Sequence, residues 1–381
     1  MKKFIISLAV VMLTPVSMLA QGGQLNGSGY YRVQNKDTKR YISIVDNRAK
    51  ISADGGAATA DLGALLMLKG STDDQFEENV SWNPATICRF EYVSGTQYNL
   101  SGLGLDLHEK TGYYLNIAKV ADNSYRLYGA AGGLGTTELC DVASWQHPSV
   151  DKNKKYWWLR PIDQTDAQYF GIKPDVQAAD GTYWSTIYCA FPFKVGDGMK
   201  AYIVVNEHSG YVIIREVAEV PAGIPALIRC KGATPKENKV TVLNNSSATV
   251  SYNKLKGNFF CNLTYNDNGS PDNHWHATVY SPTTMRMLGV SSDGKVAFVR
   301  SNIDYLPACK AYLPVSSSRG AELLVVTEAE LEAMAINTIQ ADDVTSAKSG
   351  VYTLSGQRIA DTPDNLPRGL YIVNGKKVII K

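Results

Sequence analysis

Two histidines separated by a single residue, His274 and His276, form the closest histidine pair in the sequence. On a strand, residues two apart face the same side, and imidazole nitrogens are common zinc ligands, so this pair could hold a metal ion. Asp267 and Asp272 could add oxygen ligands. The segment 266–272 is rich in Asn, Asp, Gly and Pro, which is typical of a loop. We name the two histidines as metal candidates, but we expect no bound metal and no other cofactor.

The motifs that position a nucleophile or a phosphate are missing from the sequence. It contains no Gly-x-Ser-x-Gly elbow, no Cys-x-x-Cys pair and no phosphate-binding glycine loop before a helix. The 36 acidic residues guarantee many carboxylate pairs, so such a pair alone does not indicate a glycosidase. We therefore predict no catalytic residues, and we expect a protein that is not an enzyme.

Aromatic residues in loop-like sequence are better candidates for a binding site. Trp82, Tyr113 and Trp145 lie in or beside polar segments, and Asp106 and His108 are polar neighbours. A sugar ring can stack on an aromatic face while nearby polar groups bind its hydroxyls. We predict these five residues as the ligand-binding set. The alternative is that each aromatic ring only covers the core of its own domain.

Strands must position these residues, because short β-branched and aromatic runs recur between Gly and Pro along the chain. The stretch from Tyr183 to Cys230 is typical of an antiparallel β-sandwich, which we assign to residues 166–336. Weak repeats at Tyr41, Tyr98 and Tyr114 predict a β-trefoil-like domain over residues 21–165, closed by a strand at Trp157 and Trp158. The predicted fold class is all-β.

The C-terminal residues form a separate small element in this interpretation. Residues 337–348 are a polar linker, and residues 349–381 are a short β segment. Asn374 and Gly375 occupy the centre of a predicted type I′ hairpin. Because an isolated hairpin is unstable in water, it must pair with the strand at 351–354 or dock elsewhere. Thr327 and Glu330 form a capping box that predicts one short helix before the linker.

The first 20 residues have the pattern of a secretory signal peptide, with cleavage expected between Ala20 and Gln21. Removing Lys2 and Lys3 leaves 36 basic side chains (38 minus 2) against 36 acidic ones, so the mature chain lacks the basic excess of a nucleic-acid-binding protein. We expect no membrane-spanning segment. Export permits disulfides, but six scattered cysteines allow either bridges or buried thiols.

Several segments resemble secreted surface proteins of the Bacteroides and Prevotella type, a family of unknown function. Residues 29–43 and 60–87 resemble their trefoil domains, which implies a trefoil here. The Gln-x-Trp signature of ricin-type lectins is absent, so the resemblance does not carry galactose binding. Residues 186–193, 220–227 and 306–314 resemble a recurrent module of the same proteins. Residues 350–381 resemble a short C-terminal sorting domain of type IX secretion, which implies the export machinery as a partner.

We predict an exported protein, secreted or at the outer face of the outer membrane, that binds without catalysis. The expected ligand is a glycan or an extracellular protein, recognised through the trefoil-like domain. The alternatives are a structural or adhesive surface protein without a small ligand and, after it, a glycosidase-like enzyme. The sequence does not determine the oligomeric state.

Overall fold

The computed structural model describes residues 25, 27–45, 65–107, 115–120, 123–129, 154–163, 168–208, 210–263, 277–316, 320–333, 351–353, 358–360, 366–373 and 376–380. The chain divides into two units, Met1–Val325 and Val326–Lys381, and each is described by itself. Nearly every described element is a β-strand, so the all-β prediction is confirmed. The predicted boundary near residue 165 falls inside the first unit and remains a prediction.

The N-terminal part of the first unit is a sheet that curls into a ring. Within the described residues, β1, β4, β5, β7, β8 and β9 pair antiparallel in that order, and β9 pairs back onto β1. The strand predicted at Trp157 therefore closes the ring. A six-stranded ring is shared by trefoils and other small barrels, and the trefoil assignment stays a prediction. The strands are β1 (Gly29–Asn35), β2 (Tyr41–Ile44), β3 (Leu65–Leu68), β4 (Ile87–Ser94), β5 (Gln97–Gly102), β6 (Leu105–Asp106), β7 (Leu115–Lys119), β8 (Tyr125–Gly129) and β9 (Trp157–Pro161).

One helix, α1 (Asp73–Asn79), interrupts this sheet, and the strand-based reading of the sequence missed it. The hydroxyl of Thr72 caps the helix by accepting a hydrogen bond from the backbone N–H of Gln75, at 3.3 Å. Phe76 and Val80, four residues apart, are both buried. A Thr-x-x-Gln cap followed by an apolar i, i+4 pair is a helix signal, and it was available in the sequence. A 3-10 turn, Pro84–Thr86, leads from α1 into β4.

The remainder of the first unit is a sandwich-like pair of sheets. Ten strands form one sheet in the order β11-β12-β16-β14-β15-β22-β20-β19-β21-β18, and three form another in the order β10-β17-β13. Hydrogen bonds also join β12 and β21, because the backbone N–H of Ala311 donates to the Thr186 hydroxyl at 3.3 Å. The large sheet therefore curls towards closure. Its strands and those of the small sheet are β10 (Phe170–Gly171), β11 (Val176–Gln177), β12 (Tyr183–Ile187), β13 (Phe193–Val195), β14 (Lys200–His208), β15 (Tyr211–Val217), β16 (Ala226–Cys230), β17 (Lys239–Val242), β18 (Lys256–Asn258), β19 (Met285–Val290), β20 (Val296–Val299), β21 (Lys310–Pro314) and β22 (Glu322–Thr327).

The ring and the sandwich share buried residues. Cys309 of the sandwich packs in the apolar core of the ring, and Ile87 of the ring packs in a core of the sandwich. Arg32, on β1, is fully buried, and its guanidinium donates to the backbone carbonyl of Gln168 at 2.6 Å. The chain just before β10 is therefore held against the ring.

The second unit contains a four-stranded sheet in the order β24-β23-β25-β26. Its strands are β23 (Val351–Tyr352), β24 (Arg358–Ala360), β25 (Gly369–Val373) and β26 (Lys376–Ile380). Val373 pairs with Lys376 and also with Val351, so the two arms of the predicted hairpin pair with each other and with the predicted strand. The predicted turn residues, Asn374 and Gly375, lie outside the described residues. Residues 328–333 are helical. The Thr327 hydroxyl accepts from the Glu330 N–H at 3.2 Å and the Glu330 carboxylate accepts from the Thr327 N–H at 2.7 Å, which confirms the capping box.

Candidate functional site

A cleft of about 320 Å³ lies beside Trp82, where three segments of the first unit meet. We call it the Trp82 cleft. One wall is the turn after α1, a second is the chain before β11, and a third is β12 together with the loop that enters β21. The lining residues are Trp82, Asn83, Pro84, Ile172, Lys173, Ser185, Thr186, Ile187, Pro307, Ala308, Cys309 and Lys310.

The indole of Trp82 is held by the end of α1. Its Nε1–H donates to the carbonyl of Glu78 at 2.8 Å, which fixes the plane of the ring. The next residue, Asn83, caps the 3-10 turn by accepting from the Ala85 N–H at 3.0 Å. The ammonium of Lys173 lies 4.6 Å from the ring centroid of Trp82, within cation–π range. Trp82 is half-buried, so part of the indole remains accessible.

Lys310, the first residue of β21, supplies an ammonium group to the cleft. Its Nζ lies 2.6 Å from Oδ1 of Asp175 and 3.1 Å from both the Ser185 hydroxyl and the Thr186 carbonyl oxygen. These three acceptors match the three N–H bonds of an ammonium. Lys310 is therefore saturated with partners and held in one orientation.

Asp175 organises the neighbouring strand through its second oxygen. Oδ2 accepts from the Thr186 backbone N–H at 2.8 Å and lies 3.1 Å from the Ser185 hydroxyl. The Ser185 hydroxyl is also 2.9 Å from the Lys173 carbonyl oxygen, so it ties the backbone of Lys173 to β12. The polar groups of the cleft are thus fixed before any ligand arrives, which lowers the entropic cost of binding.

The distance between Ser185 and Lys310 resembles that of a Ser–Lys catalytic pair, but the surroundings do not suit catalysis. An ammonium paired with a carboxylate has no lone pair with which to take the serine proton. Ser185 is also fully buried. Cys309 is no better a nucleophile, since burial raises the pKa of its thiol to about 12. The arrangement can bind and orient a ligand, but it does not activate a nucleophile.

Of the predicted ligand-binding residues, the structure describes Trp82 and Asp106, and they do not share a site. Asp106 is exposed at the end of β6 and lines a separate cleft of about 170 Å³, together with Arg89 and Tyr30. His108, Tyr113 and Trp145 lie outside the described residues.

The metal candidates His274 and His276 also lie outside the described residues, as do Ala20 and Gln21 at the predicted cleavage site. Within the described ranges, no group of three or more His, Cys, Asp or Glu side chains is arranged to hold a metal ion. Over the same ranges, no helix combines the length and apolar character that a bilayer span requires.

Four polar residues of this region were not expected from the sequence: Lys173, Asp175, Ser185 and Lys310. Their partners lie far apart along the chain, since Asp175 and Lys310 are separated by 135 positions. The sequence holds one weak signal, a lysine that follows Cys309 and precedes the apolar run of β21. A charged residue in such a run needs a partner, but the sequence does not say which residue provides it.

Comparisons of the chain with protein-family models, with curated proteins and with solved structures found no match. The functional argument therefore rests on the geometry of the site.

Proposed function

We propose that this chain is an exported, non-enzymatic binding protein at the cell surface or in the medium, and that it recognises a glycan through the Trp82 cleft. The observation that carries the proposal is a half-buried indole, fixed by its hydrogen bond to Glu78, in a cleft that also contains ordered polar groups. An aromatic face suits the apolar side of a sugar ring. The exposed ammonium of Lys173, which also lines the cleft, suits its hydroxyls.

The size of the cleft supports a small ligand. Its volume of about 320 Å³ is at the lower end of ordinary ligand pockets, which hold about 300–1,000 Å³. A terminal sugar or a short branch fits this range better than a broad protein surface does. The signal peptide and the resemblance to exported surface proteins support an extracellular ligand.

A glycan-array screen of the mature full chain tests the proposal. We expect saturable binding that Trp82→Ala removes. The matched control is Tyr252→Ala, which truncates an aromatic side chain that is 56% exposed and does not line the cleft. Binding that survives in the Trp82 variant would move the site elsewhere. Absence of binding to any glycan would overturn the glycan proposal in favour of a protein ligand or a structural role.

We also propose that residues 349–381 are recognised by the export machinery. Leu370 and Ile379 lie directly opposite each other on β25 and β26, and they are 41% and 68% exposed. Neighbouring exposed apolar side chains are a common mark of a docking surface. Deleting residues 349–381 should retain the protein inside the producing cell, whereas replacing Leu370 and Ile379 by Thr should reduce export without unfolding the first unit. Unchanged export of both variants would refute this role.

A further inference from the structure

We infer that the glycan bound by the Trp82 cleft carries an acidic group, a carboxylate or a sulfate, and that Lys173 binds this group. The inference rests on the proposed glycan binding and adds the chemical class of the ligand. The charged side chains that line the cleft are two lysines, Lys173 and Lys310, and its described lining contains no carboxylate. Asp175 neutralises Lys310, so the lining offers one net positive charge, that of Lys173, and this favours an anionic ligand over a neutral one.

The two lysines differ in what they can offer a ligand. Lys310 already has three acceptors, among them Asp175 at 2.6 Å, and only 24% of its side chain is exposed. It would have to give up a strong partner before it could bind a ligand anion. Lys173 is exposed, and the contact that the structure shows for its ammonium is the face of Trp82. Lys173 is therefore the lysine that can turn towards a ligand.

The energies of the two contacts favour this exchange. A cation–π contact at an exposed site is weak. A charge-assisted hydrogen bond between the ammonium and a ligand anion is stronger, because a ligand stacked on Trp82 excludes water from it. A ligand that stacks on Trp82 and presents an anion to Lys173 replaces the weaker contact by the stronger one. A neutral ligand that displaces the ammonium gains no such replacement.

The backbone of Lys173 is well placed for this role because it does not move with the side chain. Its carbonyl is held by the Ser185 hydroxyl at 2.9 Å. The preceding residue, Ile172, is buried, and its N–H donates to the carbonyl of Asn238 at 2.9 Å. Only the side chain has to rearrange, so the entropic cost of ordering is that of one lysine side chain.

Matched oligosaccharides test the inference. Three oligosaccharides are identical except at one sugar, which is neutral in the first, a uronate in the second and sulfated in the third. Calorimetry measures the Kd of each for the mature full-length protein. We expect at least one acidic ligand to bind about 10-fold more tightly than its neutral counterpart, which corresponds to about 1.4 kcal/mol. The uronate and sulfate arms distinguish the two sources of negative charge. The advantage should shrink at high salt, since exposed charges are screened.

Lys173→Met keeps the apolar stem and removes the charge. It should abolish the advantage of the acidic ligand while leaving the neutral ligand within about 2-fold. Lys239→Met is the matched control, because the Lys239 ammonium lies 4.7 Å from the ring of Tyr169 and does not line the cleft. Equal Kd values for all three ligands would overturn the inference and leave glycan binding intact. An acidic preference that persists in Lys173→Met would overturn the role of Lys173. Failure of every ligand would count against the proposed function itself.

Discussion

The ammonium nitrogen of Lys310 lies 2.6 Å from Oδ1 of Asp175, and this ion pair joins β21 to the chain that precedes β11. The side chains are 24% and 26% exposed, so water screens the pair only partly. Lys310→Met removes the cation and leaves a partly buried carboxylate without its charged partner. We expect the free energy of unfolding to fall by about 2 kcal/mol, as measured by urea denaturation.

An exposed ion pair provides the control for this measurement. Lys200 lies 2.8 Å from Glu216, but the two side chains are 49% and 54% exposed. Exposed pairs contribute little, so Lys200→Met should change the free energy of unfolding by less than about 1 kcal/mol. Equal effects of the two lysine variants would show that burial does not strengthen the pair with Asp175.

Arg32 should be among the most sensitive positions of the first unit. Its fully buried guanidinium donates to the backbone carbonyls of Val80, Ser81 and Gln168. Arg32→Met leaves buried acceptors without donors, and we expect a loss of about 3 kcal/mol or failure to fold. Arg229→Met changes an exposed arginine and should stay within about 0.5 kcal/mol. Urea denaturation of both variants measures the difference, and a small effect at Arg32 would contradict this account.

Gly257 is required by the ring of Tyr188. A Cβ at position 257 would clash with Cγ of Tyr188, and that atom can move away only if χ1 of Tyr188 changes. The same ring stacks on Phe259, with ring centroids 4.0 Å apart. Gly257→Ala should therefore cost about 1–3 kcal/mol in the free energy of unfolding.

Two variants test the steric cause of that loss. Gly320→Ala is the control, because its Cβ would meet nothing nearer than 3.7 Å, and it should be close to neutral. In a Tyr188→Ala background the clash at Gly257 is gone, so Gly257→Ala should add little further destabilisation. A full additional loss in that background would point to the backbone rather than to the ring.

Alkaline pH should destabilise the fold through its buried thiols. Burial raises the pKa values of Cys88, Cys230 and Cys309 from 9.0 to about 12. Above about pH 9 the unfolded chain loses thiol protons that the folded chain retains, so unfolding becomes more favourable as the pH rises. The contribution is fully present below pH 9, and it falls by up to about 1.4 kcal/mol per pH unit for each thiol.

Urea denaturation at about pH 8, 9 and 10 measures this decline. The series stops at pH 10 because burial lowers the pKa of Arg32 to about 10, and deprotonation of Arg32 in the folded state acts in the opposite direction. Cys88→Ala should make the decline less steep by removing one titrating group. An unchanged dependence on pH in that variant would exclude Cys88 from the effect.

Local sequence patterns predicted the strands and the caps well, because each depends on neighbouring residues. The hairpin at β25 and β26 and the capping box of Thr327 and Glu330 both formed where the residues indicated. The same logic would have found α1 from Thr72, Gln75 and Phe76. The five described cysteines are free thiols. Their scattered positions in the sequence had allowed either disulfides or free thiols.

The candidate site was predictable only in part, for a physical reason. Trp82 could be singled out because an aromatic residue in polar sequence is conspicuous by itself. Lys310 and Asp175 become partners only when β21 lies next to β12, and that pairing depends on the packing of the whole sheet. The sequence offered no reason to separate Trp82 from Asp106, and both were assigned to one binding site. In the structure the chain between them places them in different clefts.

The closure of the ring also sets the earliest time at which the newly made chain can complete this part of the fold. Asn35 on β1 pairs with Trp157 on β9, more than 120 residues later. At synthesis rates of about 5–20 residues per second, the first strand waits on the order of ten seconds for this neighbour. During that interval one edge of β1 has no lasting partner, and the ring cannot be completed. Under the proposed export, such a delay keeps this segment open, so that it can still be threaded through a narrow passage.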